Sequence, residues 1–407
     1  MSIKERFEIP SGFRMWSMCL MAAGLLSLII GYFVYGRGDE AHQIRFWAAL
    51  LQNSVYFLLV VNASMFFFCA TTLAWAGFNM AFRRVTEAIS ACVPVIGGIT
   101  FVILMCLVLG HKAYIYEWLD KAAVAKDPVL NGKKGFLNPT FFIIWTTLTI
   151  GLWTVLGYKM RQLSREIDDH PLTIEEGKKY IWKNTVWAAL FIVWFALTVA
   201  STVPWLWLMS INAHWFSTMY SWYTFASTFV AGVALITLFV IYLKNKGYLE
   251  YVNKEHLHDL GKFQFAFSVF WTYLWFSQFM LIWYANIPEE TTYFRPRFEG
   301  PYTGLFYLNL VINFLAPLLI FMRASSKRNY TTVTFMSVAL LVGHWVDFYQ
   351  MVFGSLVPDH VPLNLFDIGL AAGFVGLIIY QTGNVLARFP LISKNHPFFK
   401  ESIIHHT

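Results

Sequence analysis

The chain has 407 residues, of which 57% are hydrophobic and 13% are charged, and its formal net charge is +7. A soluble domain usually has about 25% charged residues, so this composition excludes an ordinary soluble enzyme and indicates an integral membrane protein. The excess of Lys and Arg is spread over the segments that separate apolar stretches. This distribution is typical of membrane topology signals and does not favour a nucleic-acid partner.

Ten apolar segments, each long enough to cross a hydrocarbon core of ~30 Å as a helix, follow one another along the chain. The predicted spans are residues 15–35, 54–77, 88–109, 139–158, 185–208, 217–243, 263–287, 303–322, 331–351 and 366–386. The sequence therefore predicts an all-α polytopic membrane protein with ten transmembrane helices. Before the second span, residues 41–53 place Phe46, Trp47 and Leu50 on one side, which predicts a separate interfacial helix.

The segments between spans alternate in their content of Lys and Arg. Of these 30 residues, 21 lie in the segments on one side of the membrane and nine on the other. Because segments rich in Lys and Arg usually stay in the cytoplasm, both termini are predicted to be cytoplasmic. Residues 110–138 are the main exception, with five lysines on the predicted outer side. This loop could dock a partner, and the alternative is that it is merely solvated.

Spans two to five and spans six to nine are predicted to be two versions of one four-helix unit. Spans three and seven each follow a charged turn and end in an aromatic and acidic segment. A shift of four spans preserves orientation, so the repeat would be parallel. The predicted division is an N-terminal segment with the first helix and the interfacial helix (1–53), a first four-helix bundle (54–212), a second four-helix bundle (213–355), and a tenth helix with its tail (356–407).

The seventh span has hydrogen-bonding side chains on two opposite faces. At 100° per residue, one face has Gln264, Ser268, Thr272, Trp275 and Gln278, and the other has Tyr273, Ser277 and Tyr284. Unpaired polar groups are costly in hydrocarbon, so this pattern predicts an interior helix. The polar groups could line a path or could only tie helices together.

Asp347 is the only carboxylate well inside a predicted span, and His344 lies one turn before it. Thr334 and Ser337 continue the same stripe of the ninth helix. Burying an acid there costs about 2.5–3.5 kcal/mol on insertion scales, and intramembrane acids are usually functional. An Asp–His pair could hold or pass a proton, and the alternative is a hydrogen bond that locks two helices together.

Other polar residues could extend such a path. Asn309 and Asn313, one turn apart on the eighth span, could continue it or could bridge helices. Four ionisable residues lie at the starts of spans on the predicted cytoplasmic side, where they could form a proton inlet or simply begin helices: Glu87, His258, Asp259 and Lys262.

At the predicted outer surface, His111 follows the third span and is close in sequence to Tyr116. A His beside aromatic residues at this depth is a candidate contact for a quinone headgroup. The alternative is an ordinary interfacial position, which is the more common role of such residues.

Motifs for a redox or hydrolytic centre are absent from the sequence. There is no CxxCH, no iron–sulfur ligand run, and only His344 among the histidines lies clearly within a span. A P-loop, an HExxH motif and a GxSxG motif are also absent. We therefore expect no catalytic residues, no metal and no cofactor bound by this chain.

The segment HDLGKFQFAFSVFWTYLWFSQFMLIWYANIPEETTYF, residues 258–294, resembles a signature of the smaller ten-helix (F-type) membrane subunits of bacterial alternative complex III. The resemblance extends through NAHWFSTMYSWYTFASTFVAG (212–232) and GHWVDFYQMV (343–352), and length and span count agree over nearly the whole chain. These subunits belong to the polysulfide-reductase-type, or NrfD-type, membrane subunit family.

The resemblance implies two four-helix bundles plus two peripheral helices, in the inner membrane of a bacterium. It implies a subunit of a respiratory quinol:cytochrome c oxidoreductase, with quinol as a candidate substrate. The implied partners are a sister ten-helix quinol-oxidising subunit, an iron–sulfur subunit and haem c subunits, with lipids around them. Iron–sulfur clusters and haem c would be held by the partners.

The residues and the resemblance together favour a membrane subunit that helps to move protons during quinol oxidation. A structural scaffold for the sister subunit is the first alternative, in which every polar stripe only joins helices. A secondary transporter is the second. It is less favoured because Pro94 and Pro204 do not match one another under the four-span shift.

Overall fold

The computed structural model describes residues 5–168 and 170–406, and within them the chain is helical without strands. Over the same residues, ten helices are long and apolar enough to cross a membrane. They are α1 (Ser11–Gly36), α2 (Glu40–Leu73), α3 (Arg83–Leu109), α4 (Pro139–Arg165), α5 (Ile174–Asn212), α6 (Met219–Asn245), α7 (Lys254–Ala285), α8 (Thr303–Phe321), α9 (Tyr330–Leu356) and α10 (Leu365–Arg388). This architecture confirms the predicted all-α polytopic class.

Eight of these helices form two rings. In bundle one, α2 and α4 each contact both α3 and α5. In bundle two, α6 and α8 each contact both α7 and α9 in the same way. Helix α2 also contacts α6 and α9, so it joins the two rings. The predicted boundary between residues 53 and 54 therefore falls inside a helix that belongs to bundle one.

The remaining helices, α1 and α10, pack against each other beside the bundles. Their backbones approach closely where glycines face each other. A Cβ built on Gly24 would lie 2.3 Å from the Cα of Gly373, so neither position has room for a side chain. Most of α1 stays exposed, which is consistent with a helix that faces lipid.

The stretch predicted as an interfacial helix, residues 41–53, is instead the first part of α2, which runs without a break from Glu40 to Leu73. Phe46 and Leu50 are buried in the protein rather than lying on a membrane surface. Arg45 is also buried, and its Nη1 donates to Asp367 Oδ1 at 2.8 Å. The apolar side of this segment thus packs against neighbouring helices, which corrects the prediction.

Both ends of the described chain lie on one face of the bundles, which we call the terminal face. The backbone N–H of Leu391 donates to the carbonyl of Glu5 at 2.8 Å. The tail, residues 389–406, then crosses from bundle one to bundle two: Asn395 Nδ2 donates to the carbonyl of Ile167 at 2.8 Å, and Asn253 Nδ2, at the start of α7, donates to the carbonyl of His405 at 3.2 Å. The opposite side, with residues 110–138 and 286–302, is the distal face.

Three helices contain π-helical turns, and that of α1 is its last turn, Tyr32–Gly36. In α5 these are Thr198–Thr202 and Pro204–Leu208, and in α8 the turn is Val311–Leu315. Such turns free backbone carbonyls, which side chains from other elements then bind. Ser221 Oγ, for example, donates to the carbonyl of Ser201 at 2.6 Å. Under a four-span shift α5 would match α9 and α8 would match α4, so the irregular turns are not at equivalent positions.

Candidate functional site

The centre of bundle two is the carboxylate of Asp347, which is 1% exposed. It lies nine residues, or ~14 Å, from the distal end of α9. Four neutral groups donate to its oxygens: Tyr223 OH, Ser227 Oγ at 3.0 Å, Trp271 Nε1 at 3.1 Å and Asn309 Nδ2 at 2.9 Å. These donors come from α6, α7 and α8, so every helix of bundle two converges on this side chain.

His344 is linked to Asp347 through the hydroxyl of Ser227. The distance from Ser227 Oγ to His344 Nδ1 is 3.0 Å, equal to its distance from Asp347 Oδ2. A hydroxyl has one proton, so when Ser227 donates to Asp347 it must accept from His344 Nδ1–H. In the neutral imidazole the Nε2 atom is then unprotonated. It is buried and has no hydrogen-bond partner among the described residues, so its lone pair is unused.

The polar cluster continues along α8. Asn313 Nδ2 donates to Asn309 Oδ1, and Asn313 Oδ1 is buried with no partner in the described part of the chain. Gly343 makes this approach feasible, because a Cβ there would lie 2.2 Å from Asn313 Oδ1. The structure thus brings together four of the residues selected from the sequence: Asn309, Asn313, His344 and Asp347.

A second polar cluster lies nearer the terminal face. Gln264 Nε2 donates to Thr237 Oγ1 at 2.9 Å and to Ser337 Oγ at 3.1 Å. Ser337 is seven residues, or ~10 Å, from His344 along α9. Between the two clusters in α7 is Ser268, whose buried hydroxyl has no partner among the residues described. Thr334 does not join the stripe, because its hydroxyl donates to the carbonyl of Tyr330 in its own helix.

The proposed inlet residues fall into two separate groups on the terminal face. Asp259 contacts Lys262 Nζ at 2.7 Å and His405 Nε2 at 2.5 Å. His258 is buried, with Nδ1 3.9 Å from the Glu255 carboxylate. These three residues lie at the start of α7, beside the tail. The tail residue His405 was not selected from the sequence.

Glu87 belongs instead to an ionic network in bundle one. It is 2% exposed, and its oxygens accept from Arg84 Nη1 at 2.9 Å and from Ser164 Oγ. Arg83 Nε is 3.5 Å away. Arg161, on the same side of the bundle, donates to the carbonyl of Ser90 at 3.2 Å. Glu87 thus balances fixed cations, and its contacts do not include the Asp259 group.

The two candidate quinone contacts do not present one common surface. Tyr116 is fully buried, and its hydroxyl donates to the carbonyl of Trp207 at 2.7 Å, beside the π-helical turn of α5. His111 is exposed and has a left-handed backbone conformation (φ 47°). Tyr116 is therefore occupied in holding the fold, and the geometry gives no headgroup site between these residues.

The two polar faces of α7 have different surroundings. Gln264, Ser268 and Gln278 are buried, whereas Tyr273 is 62% exposed and Tyr284 is 84% exposed. The interior-helix prediction is thus right for one face and wrong for the other. Tyr284 lies at the distal end of the helix, where exposed tyrosines are typical of the membrane interface.

Three donors to Asp347 were not selected from the sequence as site residues, namely Tyr223, Ser227 and Trp271. Tyr223 and Ser227 are four residues apart, so they share one face of α6, and this spacing was the available signal. Over residues 5–168 and 170–406, no group of three or more His, Cys, Asp or Glu side chains is arranged to hold a metal ion. No protein-family model and no curated protein matches the sequence.

Proposed function

We propose that this chain is a membrane subunit of a respiratory quinol:cytochrome c (or equivalent acceptor) oxidoreductase, and that bundle two moves protons during quinol oxidation. The resemblance of residues 258–294, 212–232 and 343–352 to the F-type subunits of alternative complex III supports the first part. The chain would work beside a sister ten-helix quinol-oxidising subunit, an iron–sulfur subunit and haem c subunits in the bacterial cytoplasmic membrane. Both termini would be cytoplasmic.

The observation on which the proton role depends is the relay of His344, Ser227 and Asp347. A proton that binds His344 Nε2 releases the proton on Nδ1 to Ser227 Oγ, and Ser227 passes its own proton to Asp347 Oδ2. His344 and Ser227 each gain one proton and lose one, and Asp347 gains one proton and becomes neutral. The four hydrogen bonds that Asp347 accepts come from neutral donors, and no cation of the described residues is in hydrogen-bond contact with the carboxylate.

The route from the terminal face would start at Asp259 and pass Gln264 and Ser337. Over the ~10 Å between Ser337 and His344, water bound to the unpartnered hydroxyl of Ser268 would complete it. The quinone contact at His111 and Tyr116 is not supported by the geometry, because the Tyr116 hydroxyl is already bound to a carbonyl.

The test is Asp347→Asn in the isolated complex, reconstituted in liposomes. Proton movement per quinol should fall by about ten-fold or more, because Asn cannot take up a proton, while uncoupled quinol turnover persists. Ser227→Ala should act in the same direction. Thr228→Ala is the matched control, because Thr228 Oγ1 donates only within α6, to the carbonyls of Thr224 and Phe225. Wild-type coupling and turnover in Asp347→Asn would contradict the assignment.

A structural scaffold is the second candidate, and one observation favours it: Asp347 ties together all four helices of bundle two. In that case the complex would keep near-normal activity when Asn313, His344 and Asp347 are all replaced and the assembly remains intact. Isolation without haem or iron–sulfur subunits, with transport activity, would instead favour a secondary transporter.

A further inference from the structure

The distal side of the Asp347 site contains a buried arginine that the proton relay does not use. Arg297 lies in the short helix Arg295–Phe298 and is 3% exposed. Its guanidinium donates to the carbonyls of Gln350 and Tyr293 and to Ser355 Oγ, at 2.7 Å for the shortest contact with Gln350 and 3.0 Å for Ser355. It also lies over the ring of Tyr293, 3.6 Å from the centroid.

No carboxylate forms an ion pair with Arg297 within the described residues. A guanidinium is charged at any accessible pH, so this is a permanent positive charge that is held by carbonyl dipoles and an aromatic face. The neighbouring Arg295 differs in both respects, since it is exposed and its Nε is 3.6 Å from Glu299.

Arg297 and Asp347 line the same narrow cavity, of about 10 Å³, which has room for about one water molecule. Gln278 also lines it, and its buried Nε2 has no partner among the residues described. Tyr223, Asn309 and Gln350 are further polar lining residues. A water here would lie between the carboxylate that receives the proton and the distal arginine.

We propose that Arg297 is the electrostatic barrier at the distal end of this cavity. Its fixed charge raises the energy of a hydronium ion in the cavity, so a proton does not pass freely between Asp347 and the distal face. The inference rests on the proposed proton role of Asp347. It adds that Arg297 limits the passage of protons between Asp347 and the distal face. Conduction through this end requires the guanidinium to move away.

Gly354 provides a way to move the guanidinium without removing its charge. A Cβ at this position of α9 would lie 2.9 Å from Arg297 Cζ and 3.0 Å from Nε, so Ala must displace the guanidinium. The substitution Arg297→Gln removes the charge, and Arg297→Lys keeps it. Arg295→Gln removes an exposed charge from the same short helix and is the matched control.

The experiment measures passive proton influx and needs no quinol. The chain, with the subunits that co-purify, is reconstituted in phosphatidylcholine liposomes containing a trapped pH-sensitive dye, and a potassium diffusion potential is applied. Arg297→Gln should raise the influx by about ten-fold or more, because a buried unit charge is weakly screened. Gly354→Ala should give a smaller rise, and Arg297→Lys and Arg295→Gln should remain near wild type.

An influx in folded Arg297→Gln no higher than in Arg295→Gln overturns the barrier. If Arg297→Gln does not assemble, Gly354→Ala decides, and wild-type influx in that variant overturns it equally. In the double variant Arg297→Gln/Asp347→Asn the influx should return to the wild-type level. An influx that persists there supports the barrier but contradicts Asp347 as the carrier, whereas loss of coupling in Asp347→Asn without any leak in Arg297→Gln contradicts the barrier alone.

Discussion

The two bundles each bury a carboxylate, but they surround it in opposite ways. In bundle one, Glu87 contacts the guanidinium of Arg84 and lies near that of Arg83, with Arg161 on the same side. In bundle two, the described groups that donate hydrogen bonds to Asp347 are all neutral. Two rings with the same helix arrangement thus place one acid in an ion-pair network and the other among neutral hydrogen-bond donors.

The difference suits the two acids to different roles. A carboxylate that contacts buried cations balances their charge, so its removal leaves those cations unpaired. A carboxylate among hydroxyl, indole and amide donors can gain a proton at the cost of rearranged hydrogen bonds. We therefore interpret Glu87 as structural, and on the proposed function Asp347 is the group that receives the proton.

The largest expected effect is on the stability of bundle one. Glu87→Gln leaves the buried Arg83 without its counter-ion and Arg84 with Asp168 alone, and it should lower the free energy of unfolding by about 3–5 kcal/mol. Asp347→Asn breaks no ion pair of the described residues and should cost less, about 1–3 kcal/mol, because a buried donor such as Trp271 Nε1 loses its acceptor. Thermal unfolding of both variants in detergent measures the contrast. Lys183→Ala, which breaks the exposed ion pair of Lys183 with Glu166, is the near-neutral control. Equal destabilisation by the two variants would remove the distinction between the acids.

An intermediate effect is expected where α8 and α9 meet. Gly343→Ala pushes a methyl group into Asn313 and Ile312 and should destabilise bundle two by about 1–3 kcal/mol. It should also impair proton movement, because Asn309 would shift away from Asp347. Gly151→Ala in bundle one is the matched control, since its Cβ would meet nothing within 4 Å. A Gly343→Ala variant as stable and active as Gly151→Ala would show that the close approach at Asn313 is unimportant.

The smallest effect concerns the tail and depends on pH. His396 Nε2 is 3.3 Å from Arg83 Nη1, and its ring lies 5.7 Å from that of Tyr180. Burial, together with the charges of Arg83 and Arg84, holds the pKa of His396 well below the ordinary 6.5. The released tail therefore binds a proton more readily than the docked tail, so docking is complete at neutral pH and weakens as pH falls below about 6.5.

Hydrogen exchange of the amides near His396, corrected for the intrinsic effect of pH, measures this release. Faster exchange is expected at about pH 5.5 than at neutral pH. In His396→Gln the change should disappear. Exchange that is independent of pH in the wild-type chain would contradict the role of His396.

The spans were predictable from the sequence because a membrane helix is specified locally, by a long apolar run. The role of residues 41–53 was not, since the same amphipathic pattern suits a membrane surface or a helix interface. The residue that decides it, Asp367, pairs with Arg45 across more than 300 positions of sequence. The pattern of one segment cannot show what its apolar side will meet.

The candidate site was predictable in part for a similar reason. Rare ionisable groups in apolar spans identified His344 and Asp347, because their burial is costly unless it has a use. The donors from α6 and α7 are ordinary residues of aromatic and hydroxyl-rich helices, so apart from the four-residue spacing of Tyr223 and Ser227 it is the packing of bundle two that distinguishes them. Arg297 lies between spans and reads as a solvated loop residue, and its burial follows only from the fold around Gly354.

The pairing of α1 with α10 has a consequence for biogenesis. Helix α1 is synthesised first, but its glycine-lined surface packs against α10, which is synthesised roughly 300 residues later. At typical rates of translation this delay is on the order of 15–60 s, during which α1 must remain in the lipid without α10. Residues 15–35 contain no charged side chain, so α1 can stay in the lipid alone during this delay. A chain truncated before α10 should consequently still insert α1 into the membrane, but α1 would lack the helix it packs against.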